Sequence, residues 1–119
     1  MADVITGLET GPLQLSSFNE AVFARLTMRG GNIFAQAKLV MGNSDDSSQT
    51  VTARLTHNNG AFELDRVDLL IDKQSQTCIY LCGWLFNVQY GDILDLRCGT
   101  YRGWAGSARM TAMRVDGLS

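Results

Sequence analysis

The chain has 119 residues, of which 45% are hydrophobic and 18% charged, and its formal net charge is −2. That length holds one domain with one core, and that balance excludes a disordered chain. The charge is slightly negative and the basic residues are scattered, so nothing favours nucleic acid or anionic lipid as a partner, and no stretch reaches the ~20 apolar residues of a membrane helix.

The opening segment MADVITGLETGPLQLSSF carries acids and no apolar run, so it does not read as a signal peptide. The expected product is cytoplasmic as synthesised, with release or incorporation into an extracellular particle left open. Residues 1–11 read as an N-terminal arm of a single domain spanning 1–119, and Leu13–Ser16 as a short strand. Alternation with period two then dominates. Val22, Ala24, Leu26 and Met28 share one face, as do Ile33, Ala35, Ala37, Leu39 and Met41. Gly30-Gly31 between these runs predicts a hairpin, because glycine accepts positive φ. A polar loop, 42–49, leads to the alternating run 50–57. Asn58-Asn59-Gly60 is the strongest hairpin turn in the chain. The run 61–71 slips phase near Asp65-Arg66, which predicts a bulge.

Residues 77–86, TCIYLCGWLF, are apolar on both faces and predict a central strand covered on both sides. Residues 93–98 and 107–115 read as further strands, with a Gly-rich loop over 99–106. About eight short strands at these spacings imply a sandwich or barrel. The order of motifs is similar to that of small bacterial proteins of the tumour-necrosis-factor-like jelly roll, a fold shared by the globular heads of complement. Lys38-Leu39, Asn43, Gly60, Leu64-Asp65, Gly83, Gly91, Leu96, Cys98, Ala108 and Thr111-Ala112 carry the resemblance. It implies an all-β antiparallel jelly-roll β-sandwich that assembles as a homotrimer.

Three cysteines invite a metal or redox reading. Cys78 and Cys82 lie four apart on a predicted strand, so their Cα atoms are about 13 Å apart, too far for a disulfide's limit of about 7 Å. CxxC spacing is absent and His57 is the single histidine, so no four-ligand zinc set is expected. The cysteines read as free thiols in a packed strand, with a Cys82–Cys98 bridge between neighbouring strands left open. No catalytic signature is present. Asp92 and Asp95 are assigned to opposite faces of one strand and form no acid/base pair. Asn43, Asp45, Asp46 and Ser47 offer oxygen ligands for Ca²⁺, and a solvated loop is the competing reading. No cofactor, metal or catalytic residue is therefore expected.

The aromatic residues carry more. Tyr90, Tyr101, Arg102 and Trp104 fall in or beside predicted loops and suit a sugar ring or a protein partner. The alternative for Trp104 is that it folds back to cap the sandwich. On the strand 77–86, Ile79, Leu81 and Leu85 form one face and Cys78, Tyr80, Cys82, Trp84 and Phe86 the other. A sandwich needs only one such face for its core. Ile79, Leu81 and Leu85 are assigned to the core, with Gly83 admitting a close neighbour, and the other face to a subunit interface. Sequence alone leaves the two faces exchangeable. The expected function is a non-catalytic, trimeric structural or adhesive protein, for instance a decoration or spike component of a larger particle. The alternative is a lectin using residues 99–106 or the clefts between subunits, and the expected partners are itself, a glycan or a larger protein assembly.

Overall fold

A computed structural model describes residues 2–115; Met1 and residues 116–119 of the expected domain lie outside the described residues. The described chain forms β1 (Ala2–Glu9), β2 (Leu13–Ser16), β3 (Ala21–Thr27), β4 (Gly31–Asn43), β5 (Gln49–His57), β6 (Phe62–Ile71), β7 (Gln76–Val88), β8 (Ile93–Thr100) and β9 (Arg102–Val115). One sheet runs β1-β9-β4-β7 with β2 also on β9, and the other runs β3-β8-β5-β6. This is an antiparallel jelly-roll sandwich, with nine strands rather than about eight. Within the segment read as an arm, β1 pairs with β9 from Ala2↔Val115 to Glu9↔Ala108. β2 continues along the same strand from Leu13↔Ala105 to Ser16↔Arg102. The two are one edge strand interrupted around Pro12, which has no N–H to donate to the ladder.

The alternation is what buries the core. Ile33, Ala35, Ala37, Leu39 and Met41 of β4 point inward against Val51, Ala53 and Leu55 of β5 and Leu94 and Leu96 of β8. Each fully buried large side chain among them contributes roughly 1.5–3 kcal/mol. Asn58, Asn59 and Gly60 take φ of 53°, 59° and 84°, the left-handed sequence that reverses β5 into β6. His57 Nε2 lies 2.9 Å from Asp92 Oδ2, which ties that turn to the β7–β8 connection. The His57 contact and the Gln89 N–H hold the Asp92 carboxyl below its ordinary range. The phase slip in β6 is a bulge: Leu55 faces Asp65 and Thr56 faces Glu63, with Leu64 left over.

Several expectations need correction. Gly30-Gly31 does not close a hairpin, because β3 pairs with β8 while β4 pairs with β7 and β9. Those residues carry the chain from one sheet to the other. β7 is not central: it is the edge of the five-stranded sheet. Residues 99–106 are not a loop, since β8 runs to Thr100 and β9 starts at Arg102. Cys82 and Cys98 sit on strands of different sheets and are not neighbours. All three cysteines are free, with Cys98 buried and Cys78 and Cys82 exposed. Burial pushes the Cys98 thiol up to about 12. Asp92 lies in the turn before β8 rather than on a strand, while Asp95 is in the middle of β8.

Candidate functional site

The two outward sheet faces differ in chemistry. On the four-stranded sheet the charges satisfy one another. Asp95, fully buried, takes Arg25 Nε at 2.8 Å and Arg97 Nη2 at 3.1 Å. Glu20 bridges Arg97 and Arg54, and Arg54 also reaches Glu63 at 2.6 Å. Beside them Arg66 pairs with Asp68. These charges are paired within one chain.

The five-stranded sheet is different. Cross-strand partners share a face, so its outer side chains fall in rows. Val4, Met113, Phe34 and Trp84 form one row. Phe86 extends it: the Trp84 ring lies 4.9 Å from Phe34 and stacks on Phe86 at 6.3 Å. Thr6, Thr111, Gln36 and Cys82 follow, then Leu8, Arg109, Lys38 and Tyr80. Beyond a register shift opposite Lys38 and Val40, the rows continue with Gly106, Val40 and Cys78, then Gln14, Trp104, Gly42 and Gln76. No residue in these rows is Asp or Glu. Tyr80 is 69% exposed, Phe86 64% and Trp84 43%, against 2% for Ile79 and Leu81 on the other side of the same strand. Ile79, Leu81 and Leu85 thus lie in the sandwich core, and Cys78, Tyr80, Cys82, Trp84 and Phe86 face outward. Gly83 is needed where Leu64 of the bulge approaches: a Cβ there would lie 2.9 Å from the Leu64 Cβ.

A groove of about 290 Å³ crosses the middle of this face, lined by Gln36, Lys38, Tyr80, Cys82, Arg109 and Thr111. Sequence reasoning found β7's share of this surface. It missed the shares of β4, β9 and β1, because strand pairing, which sequence does not give, sets which outward residues meet.

The four residues expected to bind a ligand do not meet. Tyr90 is 85% exposed but precedes β8, while Tyr101 follows it, so a strand of about 25 Å separates them. Tyr101 and Arg102 do adjoin, with the guanidinium 5.8 Å from the ring centroid. Phe18 joins them, its ring 5.8 Å from Tyr101, and Arg102 reaches Asp45 at 3.4 Å. Phe18 carried no signal beyond an isolated aromatic. Trp104 is half-buried in β9, its indole filling the space a Cβ at Gly42 would need. It therefore covers the sheet rather than projecting from a loop. Trp104→Ala is expected to cost about 2–3 kcal/mol in urea unfolding, below a fully buried Trp and well above a surface residue. A cost under about 0.5 kcal/mol would show that the ring contributes no packing.

The Asn43–Ser47 segment is organised by its own hydrogen bonds. The buried Asn43 amide reaches the carbonyls of Ser47, Ile71 and Asp72, and its Oδ1 accepts the Asp45 N–H. Among the described residues no group of three or more His, Cys, Asp or Glu is placed to hold a metal ion. No helix among them is long and apolar enough to cross a membrane.

These sheets and this strand order form a jelly-roll sandwich, and tumour-necrosis-factor-like structures are among those similar to it in fold. The structure of infectious bursal disease virus, Gx strain, is similar with a TM-score of 0.73 and 11% identity, over 100% of this chain and 34% of the viral chain. Eiger TNF from S. frugiperda is similar with a TM-score of 0.64 and 13% identity, over 98% of this chain and 96% of that one. The globular domain of zebrafish complement 1qA matches with a TM-score of 0.57 and 9% identity, over 98% of both chains. At these identities the likeness is one of fold. The chain spans about a third of the viral protein and nearly all of the other two. No family profile matches the chain, and no curated protein is similar to it in sequence.

Proposed function

We propose that the protein is a non-catalytic homotrimer with a structural or adhesive role, assembled through the outer face of the five-stranded sheet. The observation that carries this reading is the acid-free aromatic face of β7 with Phe34, Met113 and Val4 beside it. Monomers rarely expose contiguous apolar patches beyond a few hundred Å², and aromatic residues bury ~150–250 Å² each when covered. Closed cyclic assembly is the ordinary way to cover such a face. One similar structure is of derived T=1 particles of a viral VP2 protein, which supports placing this chain in a larger particle as a decoration or spike. The Phe18–Tyr101–Arg102 cluster favours a second reading, a lectin that stacks a sugar on exposed aromatic rings.

Light scattering at micromolar concentration tests the assembly and is expected to give three chains. Native thiol titration adds the location. Cys98 stays unreactive, and Cys78 and Cys82 react slowly in the assembly and quickly once it is diluted apart. A wild-type monomer at that concentration overturns the trimer reading. A glycan array tests the lectin, with Tyr101→Ala expected to abolish any signal.

A further inference from the structure

The groove holds a cation pair that no described residue neutralises. Lys38 and Arg109 are directly opposed on β4 and β9, an arrangement that costs stability in a sheet. No carboxylate among the described residues pairs with either. The complementary defect lies at the edge of the same sandwich. Asp65, on the β6 bulge, accepts the backbone N–H of Cys82 at 3.0 Å and of Arg66 at 2.8 Å, and no cation reaches it. Val67 and Leu69 lie along the same side of β6, opposite Ala53 and Val51, and Leu69 is 38% exposed. One surface is thus a groove with unpaired positive charge, and the other an apolar edge with an unpaired carboxylate.

Symmetry decides how two copies use them. A two-fold pairing of the face with itself would bring Lys38 and Arg109 toward their own copies, and like charges taken out of water repel strongly. A head-to-tail contact joins the face of one copy to the edge of the next and closes as a ring when the step between copies is a three-fold rotation. We infer that each subunit seats the β6–β7 edge of its neighbour in its own groove, with the partner subunit's Asp65 between Lys38 and Arg109. This rests on the trimer reading and adds to it the second half of the interface and the residues that set its polarity. Sequestering the two cations without an anion would be costly, so the pairing makes the ring specific.

Charge reversal tests the contact. Lys38→Glu and Asp65→Lys are each expected to weaken trimerisation about 100-fold by light scattering across a dilution series. The double variant is expected to regain at least about 10-fold, because its charges are complementary again. Melting curves check that each variant folds, and Lys38→Gln and Asp65→Asn replace any that does not. A wild-type monomer overturns the trimer reading and this pairing together. A wild-type trimer that tolerates both reversals overturns the pairing alone. Dissociation by Lys38→Glu but not by Asp65→Lys also overturns it. If that pattern comes with wild-type assembly that depends on added phosphate, a small anion occupies the groove instead.

Discussion

Replacing Asp95 with alanine is expected to lower the stability of the fold by about 3 kcal/mol, and the melting temperature by roughly 10 °C. Asp95 is fully buried, and its two oxygens take the guanidinium groups of Arg25 and Arg97. Removing it leaves two cations side by side, and Arg97 Nε is already buried without a partner. Arg25 is half-exposed and regains water, which keeps the cost at the low end for a broken buried pair. Asp95→Asn keeps the shape and one acceptor, so its cost is expected to be about half. Urea unfolding at fixed chain concentration measures both, because assembly makes stability depend on concentration. A loss within about 0.5 kcal/mol for Asp95→Ala would show that the ion-pair network contributes nothing to folding.

Trp84→Asp is expected to dissociate the assembly completely at micromolar concentration while leaving the monomer folded. The ring lies between Phe34 and Phe86, with Met113 in the same row and no cation beside it. A carboxylate there would enter an interface with nothing to pair with, a loss of several kcal/mol. Tyr80→Asp is a milder case. Lys38 is its cross-strand partner, so the new charge finds a counter-ion and the expected weakening is about tenfold less. Light scattering separates the two. A Trp84→Asp protein that remains trimeric would place the interface elsewhere on the molecule.

The sequence showed the strands and their faces better than their neighbours. Alternation in β4 and β5 reports burial directly, since every second residue enters the core. The Asn58-Asn59-Gly60 turn was legible because successive positive φ values demand those residue types. β7 misled for a physical reason: a strand apolar on both faces says that both are covered, not by which chain. Its pattern predicts a central strand, yet it lies at an edge with one face bare in the single chain. Gly30-Gly31 misled because glycine marks a change of direction, and a crossing between sheets needs one as much as a hairpin does. The Gly99–Gly106 stretch read as a loop for a similar reason. Gly103 and Gly106 instead sit inside β9, and Trp104 lies over Gly42 of β4. The Lys38–Arg109 pair and the Asp65 contact were not legible, because pairing register created both.

The pairing of Ala2 with Val115 gives the molecule a mooring pole. Both described chain ends leave from one end of a body 50 Å long, and Phe18, Tyr101 and Arg102 stand at the other. In a cyclic ring every copy points the same way along the axis. With the long axis of each copy along the three-fold axis, a trimer would carry all six described chain ends on one side and three identical aromatic–cation clusters on the opposite side. A tether, carrier or fused peptide joined at either terminus would leave that far side unobstructed, and a surface engaged there would be met by three contacts at once.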